Sequence, residues 1–312
     1  MIRGVQIILA TKTTRAVIIN LLSCLEPVDS SFRGRCSESW DRSVSLLRNC
    51  MIGGRSCLLR ATLVFSFSLT VQAGNGVAIA QSADLVTDRP DKTESARVVP
   101  KGLVQVETGY LFTRDGDVGS YEVPGTLFRI GFGGRTELRV SHVGVVGREG
   151  IHGAGDSELG AKINLIERAD GWQPEFALLA GLSLPTGEDG LSSDSIDPSF
   201  LLSFAHELSP KLSLGYNVGA TWESLAHQQF RDMFVVYSLA VGIGLTDRLS
   251  MFLELFGDRQ TTSTIGPSLS GDGGLTFLLT EIVQLDVYVG RGLREPSDDV
   301  FFGTGLSFRL PR

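Results

Sequence analysis

The chain has 312 residues, 42% of them hydrophobic, with 35 Asp and Glu against 28 Lys and Arg. A net charge of −7 and a sequence pI near 5.2 exclude the basic balance of a non-specific nucleic-acid binder, so no nucleic-acid partner is expected. Cys24, Cys36, Cys50 and Cys57 all lie in the first 57 residues, which removes thiol catalysis, Cys-based zinc sites and disulfides from the rest of the chain.

The first 82 residues hold nine bases and four acids, leaving 19 bases and 31 acids, a net −12, for residues 83–312. The two parts therefore differ in kind. From Met51 the sequence reads as a secretory signal peptide over 51–80: Arg55 and Arg60 form the basic n-region, residues 61–73 the apolar h-region, and Ala78-Ile79-Ala80 the small-x-small cleavage site. Residues 1–50 precede a complete signal and show no sustained period, so they are read as an over-extended N-terminus outside the mature protein.

Residues 81–102 follow as a periplasmic N-terminal segment. Asp88-Arg89-Pro90-Asp91 is charged and proline-interrupted, which excludes a membrane strand. Two readings stand side by side: a solvated tail, and a plug of Asp88, Arg89, Asp91 and Glu94 folded back into a barrel, with Arg89 held by lumen carboxylates.

Past Gly102 the pattern is period two with Gly-rich turns. Leu212, Leu214, Tyr216, Val218, Ala220 and Trp222 share one face, and Lys211, Ser213, Gly215, Asn217, Gly219 and Thr221 the other. The same split separates Val283, Leu285, Val287 and Val289 from Gln284, Asp286, Tyr288 and Gly290. Twelve strands are predicted, over 103–112, 122–132, 136–146, 157–166, 174–184, 198–207, 211–222, 233–245, 249–257, 267–278, 282–292 and 300–310. Most approach the roughly 9–11 residues that a tilted strand needs to cross a bilayer.

Tight turns are expected at 133–135, 209–211, 246–248 and 280–281, and long polar loops at 113–121, 147–156, 185–197, 223–232, 258–266 and 294–299. Short turns on one side and long loops on the other mark an outer-membrane barrel. Lipid satisfies no backbone polar group, so the sheet must close, with strand 103–112 paired to 300–310. The predicted fold is an all-β, antiparallel, up-and-down transmembrane β-barrel of about twelve strands, over 103–312, in the bacterial outer membrane. The last strand, with Gly305, Phe308 and Leu310, resembles the C-terminal signal read by the barrel-insertion machinery, although the chain ends in Pro311-Arg312.

With apolar positions in lipid, charges face the lumen. Glu107, Arg129, Glu137, Arg139, Lys162, Glu254, Asp286, Arg291 and Arg309 fall on or near the polar faces and are the candidate pore-lining residues, with Arg129, Arg139, Glu254 and Arg291 foremost for selectivity. Their mixed signs fit either a hydrated channel or a salt-bridged closed core. Tyr110, Phe112, Trp172, Trp222, Phe256 and Phe301 at strand ends are candidates for interfacial girdles. Asp156, Asp189, Asp194, Asp197, Asp298 and Asp299 form an acidic rim in the extracellular loops, where bridging to lipopolysaccharide through divalent ions is the alternative to simple solvation.

Thr87-Asp88-Arg89-Pro90-Asp91-Lys92-Thr93-Glu94-Ser95 precedes Pro100-x-Gly102-x-x-Gln105-x-Glu107-x-Gly109. In these residues, and in Leu182-Ser183-Leu184-Pro185-Thr186-Gly187 and the closing Gly303-x-Gly305-Leu306-Ser307-Phe308-Arg309, the sequence resembles the outer-membrane transporter family named for the meta-pathway of phenol degradation. The resemblance implies a channel or transporter for passive passage of small solutes, aromatic or apolar ones among them. Such a protein needs no cofactor; its partners are the solute, outer-membrane lipid and lipopolysaccharide. The alternatives are a non-conducting structural or surface-interaction barrel and an outer-membrane lipid hydrolase. Ser141-His142 is the local candidate for the hydrolase, but no GxSxG accompanies it and no enzyme is expected.

Overall fold

A computed structural model describes residues 84–167, 172–224, 231–264 and 266–310. The signal peptide, its cleavage after Ala80 and the surplus first 50 residues lie outside the described residues. Within them the chain forms β1 (Val104–Asp115), β2 (Val118–Gly131), β3 (Thr136–His142), β4 (Val145–Arg148), β5 (Ile151–Ala154), β6 (Ser157–Ile166) and β7 (Glu175–Leu184). The second half adds β8 (Asp197–Ser209), β9 (Leu212–Ser224), β10 (Arg231–Gly244), β11 (Leu249–Gln260), β12 (Leu269–Thr280), β13 (Val283–Arg294) and β14 (Val300–Leu310), with no helix among the described residues.

Each strand pairs antiparallel with its neighbours, and β1 bonds to both β2 and β14, which closes the sheet. The closing register runs from Val104 opposite Leu310 to Arg114 opposite Val300. Twelve strands are staves, and β4 and β5 are two extra strands. Closure leaves no unpaired edge among the twelve staves, the condition that lipid imposes on a spanning sheet, and β5 alone ends the strand order.

Three expectations about connections are corrected. The strand expected over 136–146 is two strands, because Gly144 (φ 82) turns the chain where a Cβ would lie 2.5 Å from the Pro124 carbonyl oxygen. There β2 changes partner, from β3 along Thr126–Gly131 to β4 along Ser120–Val123. The loop expected at 147–156 instead contains β5, paired to β4 in a hairpin. The loop expected at 113–121 is mostly strand: β1 and β2 stay paired up to Asp115 and Val118, with the Thr113 and Ser120 hydroxyls 2.6 Å apart.

Alternation sets the faces. On β13, Leu285, Val287 and Val289 are 41%, 53% and 60% exposed, whereas Gln284 and Asp286, which alternate with them, are 6% and 3% exposed. The exposed row is the lipid-facing belt, and the buried row faces the lumen. Tyr110 and Phe112 meet Phe302 on the outer face at ring distances of 5.9 and 5.3 Å, and Trp222 meets Phe200 there. Phe256 and Phe301, expected in the girdle, instead face inward. They share the parity of Phe252 and Gly303 and pack with Phe252, Tyr288 and Leu111 in an internal aromatic cluster.

Candidate functional site: a folded-back segment in the lumen

The lumen is occupied by the chain's own residues 84–102. They rise along the β1, β13 and β14 wall from Asp84, whose carbonyl accepts from Arg309, turn over near Asp91 and Lys92 against β11, and descend past β9, β8 and β7 to Gly102. Before Gly102, whose amide donates to Gly131 of β2, the segment has no sheet partner, yet a buried backbone polar group left unbonded is costly. Lumen side chains meet this need. Glu107 accepts from the amides of Asp88 and Arg89, Glu254 from Lys92, Asn217 from Glu94, and Glu137 from Val99. The carbonyls of Val86, Glu94, Ala96 and Arg97 are bonded by Gln105, Ser203, Asn164 and Arg129. Ala96, fully buried, rests on Ala177 and Leu179.

The charged contacts concentrate on the wall made by β1, β2, β3 and β6. The Asp88 carboxylate lies 3.0 Å from Arg129 Nη1, 2.5 Å from Arg139 Nη1 and 2.7 Å from Lys162 Nζ. Glu94 bonds Arg139 at 2.7 Å and lies 3.3 Å from Lys162. Glu137 binds Arg129 at 2.9 Å and Arg139 at 3.1 Å, and Glu107 binds Arg129 at 3.0 Å. Register builds the cluster: Arg129 stands opposite Arg139, and Glu137 opposite Lys162. Four carboxylates thus face three cations. Glu107 also accepts two amide bonds from the segment and one from Gln105.

Arg89 anchors the opposite side through Asp286 at 3.1 Å. Its guanidinium lies over Gly109 and Gly305, which are paired across β1 and β14 and leave the room that a side chain would fill. The three atoms nearest a Cβ at Gly305 would all belong to the Arg89 guanidinium. Gly305→Ala is therefore expected to dislodge Arg89 while leaving the barrel backbone intact. The described residues contain no cysteine, so Ser95→Cys supplies a clean probe; it should react with a thiol reagent several-fold faster in the Gly305→Ala background.

Of the nine residues expected in the lumen, Glu107, Arg129, Glu137, Arg139 and Lys162 come together in the cluster. Glu254, Asp286 and Arg309 also face inward, at separate points along the segment. Arg291 is the correction. It shares the outward parity of Val287, Val289 and Leu293 and is exposed, with its Nε donating to the Gly292 carbonyl at 3.3 Å. All four residues named for a plug are in the segment: Asp88, Arg89 and Glu94 make its ion pairs, and Asp91 lies at its turn. The neutral binders Gln105, Asn164, Ser203, Asn217 and Gln284 were not anticipated, although all share the parity of the predicted charges.

The segment divides the interior. A cavity of about 620 Å³ lies on the extracellular side, between the walls of Leu127, Leu179, Leu201, Val236 and Phe256, with Lys92 and Glu94 on its floor. A second cavity, of about 440 Å³, lies toward the periplasmic turns and is bounded by Glu94, Arg97 and Glu175.

At the rim, Asp156 accepts from the amides of Gly187 at 2.8 Å and Ser193 at 2.9 Å, clasping the loop after β7. Burial acts to raise its pKa, but these amides and the Ser192 and Ser193 hydroxyls outweigh it and hold the group below its ordinary value. A depressed carboxylate stabilises the clasp above the ordinary Asp range of about 3.9 and loses that effect as pH falls through the lower, folded value. Proteolysis within 187–193 should therefore be slow at neutral pH, faster in strong acid, and fast at neutral pH in Asp156→Asn. Asp197 is also committed, to Arg231 at 3.1 Å. Ser141 and His142 point to opposite faces of β3, and His142 bonds the Ser157 hydroxyl at 3.2 Å with no carboxylate bonded to its ring among the described residues.

No curated protein sequence matches the chain. Among solved structures, an outer membrane channel from Pseudomonas putida F1 aligns with a TM-score of 0.53 at 15% identity, covering 69% of this chain and 98% of that one. At that identity the likeness establishes the barrel fold. The NanC porin aligns at 0.48 and 11% identity over 66% of this chain and 100% of its own, and the CymD monoaromatic hydrocarbon channel at 0.39 and 9% over 69% and 89%. The sequence match is broader in meaning: a single family model spans residues 87–310, from the lumenal segment to the closing strand. The chain belongs to the family described as "Putative MetA-pathway of phenol degradation", and its fold is that of an outer-membrane β-barrel.

Proposed function

We propose that the protein is an outer-membrane channel for passive passage of small solutes, aromatic or apolar ones among them, closed at rest by its own residues 84–102. The observation that carries this reading is the segment itself, an ion-paired, hydrogen-bonded loop inside a closed barrel and separate from its sheet. A barrel needs no such loop for closure, whereas a conduit that must be shut does. In the extracellular cavity Leu127, Leu179, Leu201, Val236 and Phe256 form an apolar lining beside Arg139, Glu158, Asn217 and Asp258, which supports a small solute with an apolar face, because burial of apolar surface is favourable without directional contacts.

Planar-bilayer recording tests the reading. The intact barrel should show brief, infrequent openings. Lys92, exposed at the turn and on the floor of the extracellular cavity, lies on the route of any permeant ion. Lys92→Glu should shift the selectivity of those openings toward cations, with heat-modifiability unchanged. A folded barrel that stays silent even without the segment would establish the structural-barrel alternative instead.

A further inference from the structure

The outer wall carries a feature that conduction does not use. Between β10 and β13 the lipid-facing surface is hollowed into a groove of about 930 Å³, flanked by Leu239, Leu253, Leu255, Val289 and Leu293. Its floor is the outward row of β12, where Gly271 and Gly273 contribute no side chain. The flanking residues include some of the most exposed aliphatic side chains in the barrel: Leu253 at 55%, Leu293 at 54% and Val289 at 60%.

One cation stands at this groove. Arg291 is directly opposite Gly271, which in turn is opposite Leu255, so the guanidinium shares a row with the hollow. It is exposed, and no carboxylate pairs with it among the described residues. Its height is equally informative. Eight residues beyond Val283, on a strand rising ~3.3 Å per residue and tilted 35–45°, it lies roughly 20 Å above the periplasmic turn, near the top of an apolar band ~25 Å tall. The outer aromatic cluster of Tyr110, Phe112 and Phe302 marks the same level, since Phe302 is opposite Val289. An arginine at that depth extends its head to the polar interface while its stem stays in the apolar layer.

We infer that this groove and Arg291 form a binding site for a phosphorylated glycolipid of the outer leaflet, the lipid A moiety of lipopolysaccharide. One saturated acyl chain lies along the glycine floor and a phosphate pairs with the guanidinium. The groove supplies apolar contact below, and the cation supplies a fork of donors matched to phosphate above. The inference rests on the outer-membrane reading of the barrel and adds to it a named lipid and a named seat.

The test is native mass spectrometry of the full-length protein purified from outer membranes, titrated with lipid A, with dephosphorylated lipid A and with phosphatidylglycerol. One lipid A is expected to remain bound. Arg291→Gln and the dephosphorylated lipid should each weaken retention by about tenfold or more, the scale of one charge-assisted contact. Gly271→Leu should weaken it similarly by filling the hollow; the atoms nearest its Cβ are the mobile ends of Leu255 and Leu293, at 3.2 Å. Both variants must keep the heat-modifiable mobility of a folded barrel. Equal retention by Arg291→Gln would overturn the site. So would phosphatidylglycerol bound as tightly as lipid A, or a protein dimer dissolved by Gly271→Leu. A chain absent from the outer-membrane fraction would remove the channel reading itself, and a resident barrel without lipid A only this site.

Discussion

Deleting residues 84–96 is expected to convert a mostly closed barrel into a steadily conducting one. The deletion removes four acids, Asp84, Asp88, Asp91 and Glu94, and two bases, Arg89 and Lys92. It joins the two cavities into one path, and it takes Asp88 and Glu94 away from Arg139 and Lys162. Conductance should therefore rise several-fold and become anion-selective, because the cluster that remains holds Arg129, Arg139 and Lys162 against Glu107 and Glu137. Twelve strands enclose a lumen narrower than that of the 16–18-stranded porins, so the open state should pass only small solutes. Single-channel recording of both forms decides the matter. Unchanged conductance would show that the segment does not limit flow.

The second large effect concerns folding. Arg129 is buried beneath the segment and binds Asp88, Glu107 and Glu137. Arg129→Met keeps most of the volume but leaves four carboxylates, Asp88, Glu94, Glu107 and Glu137, facing two cations in a region shielded from water. Breaking a buried ion pair by removing one partner costs about 3–5 kcal/mol. The urea midpoint for unfolding from lipid vesicles should fall accordingly. Arg129→Lys should recover part of the loss, since a lysine restores the charge without the planar fork that reaches two carboxylates at once. A midpoint within error of the native one would mean that water reaches the cluster and relieves the unpaired acids.

The barrel was legible because lipid and lumen impose opposite demands on alternate residues. The split of β13 into Leu285, Val287 and Val289 against Gln284, Asp286 and Tyr288 is visible in the letters and recurs in the exposures. Where parity was set aside, the reading failed. Arg291 was counted with the lumen for its charge, and Phe301 with the girdle for its position near a strand end, although each follows its strand's alternation. The break at Gly144 was hidden because a glycine in a period-two run looks the same whether it is extended or turned. The path of residues 84–102 had no local signal. Its contacts are side chains far away along the chain, such as Arg309 to the Asp84 carbonyl, 225 residues distant, and periodicity does not reach that far. The polar residues waiting for it were nevertheless present, as neutral amides and serines on lumenal positions where an empty pore would have had less use for them.

The segment's up-and-over path also gives the closure a mechanical direction. Asp84 and Gly102 both lie near the periplasmic mouth, one held by Arg309 and the other by Gly131. A pull on the Asp84 end from the periplasm loads the contacts in sequence, first Arg309, then Gln105 and Gln284, then Asp286 and the Asp88 cluster. A push from outside falls on the turn at Asp91 and Lys92 and is shared by both limbs together. The loop should unzip under a small force from within the cell envelope and resist a much larger one from the medium, so that it acts as a latch with its handle on the inside.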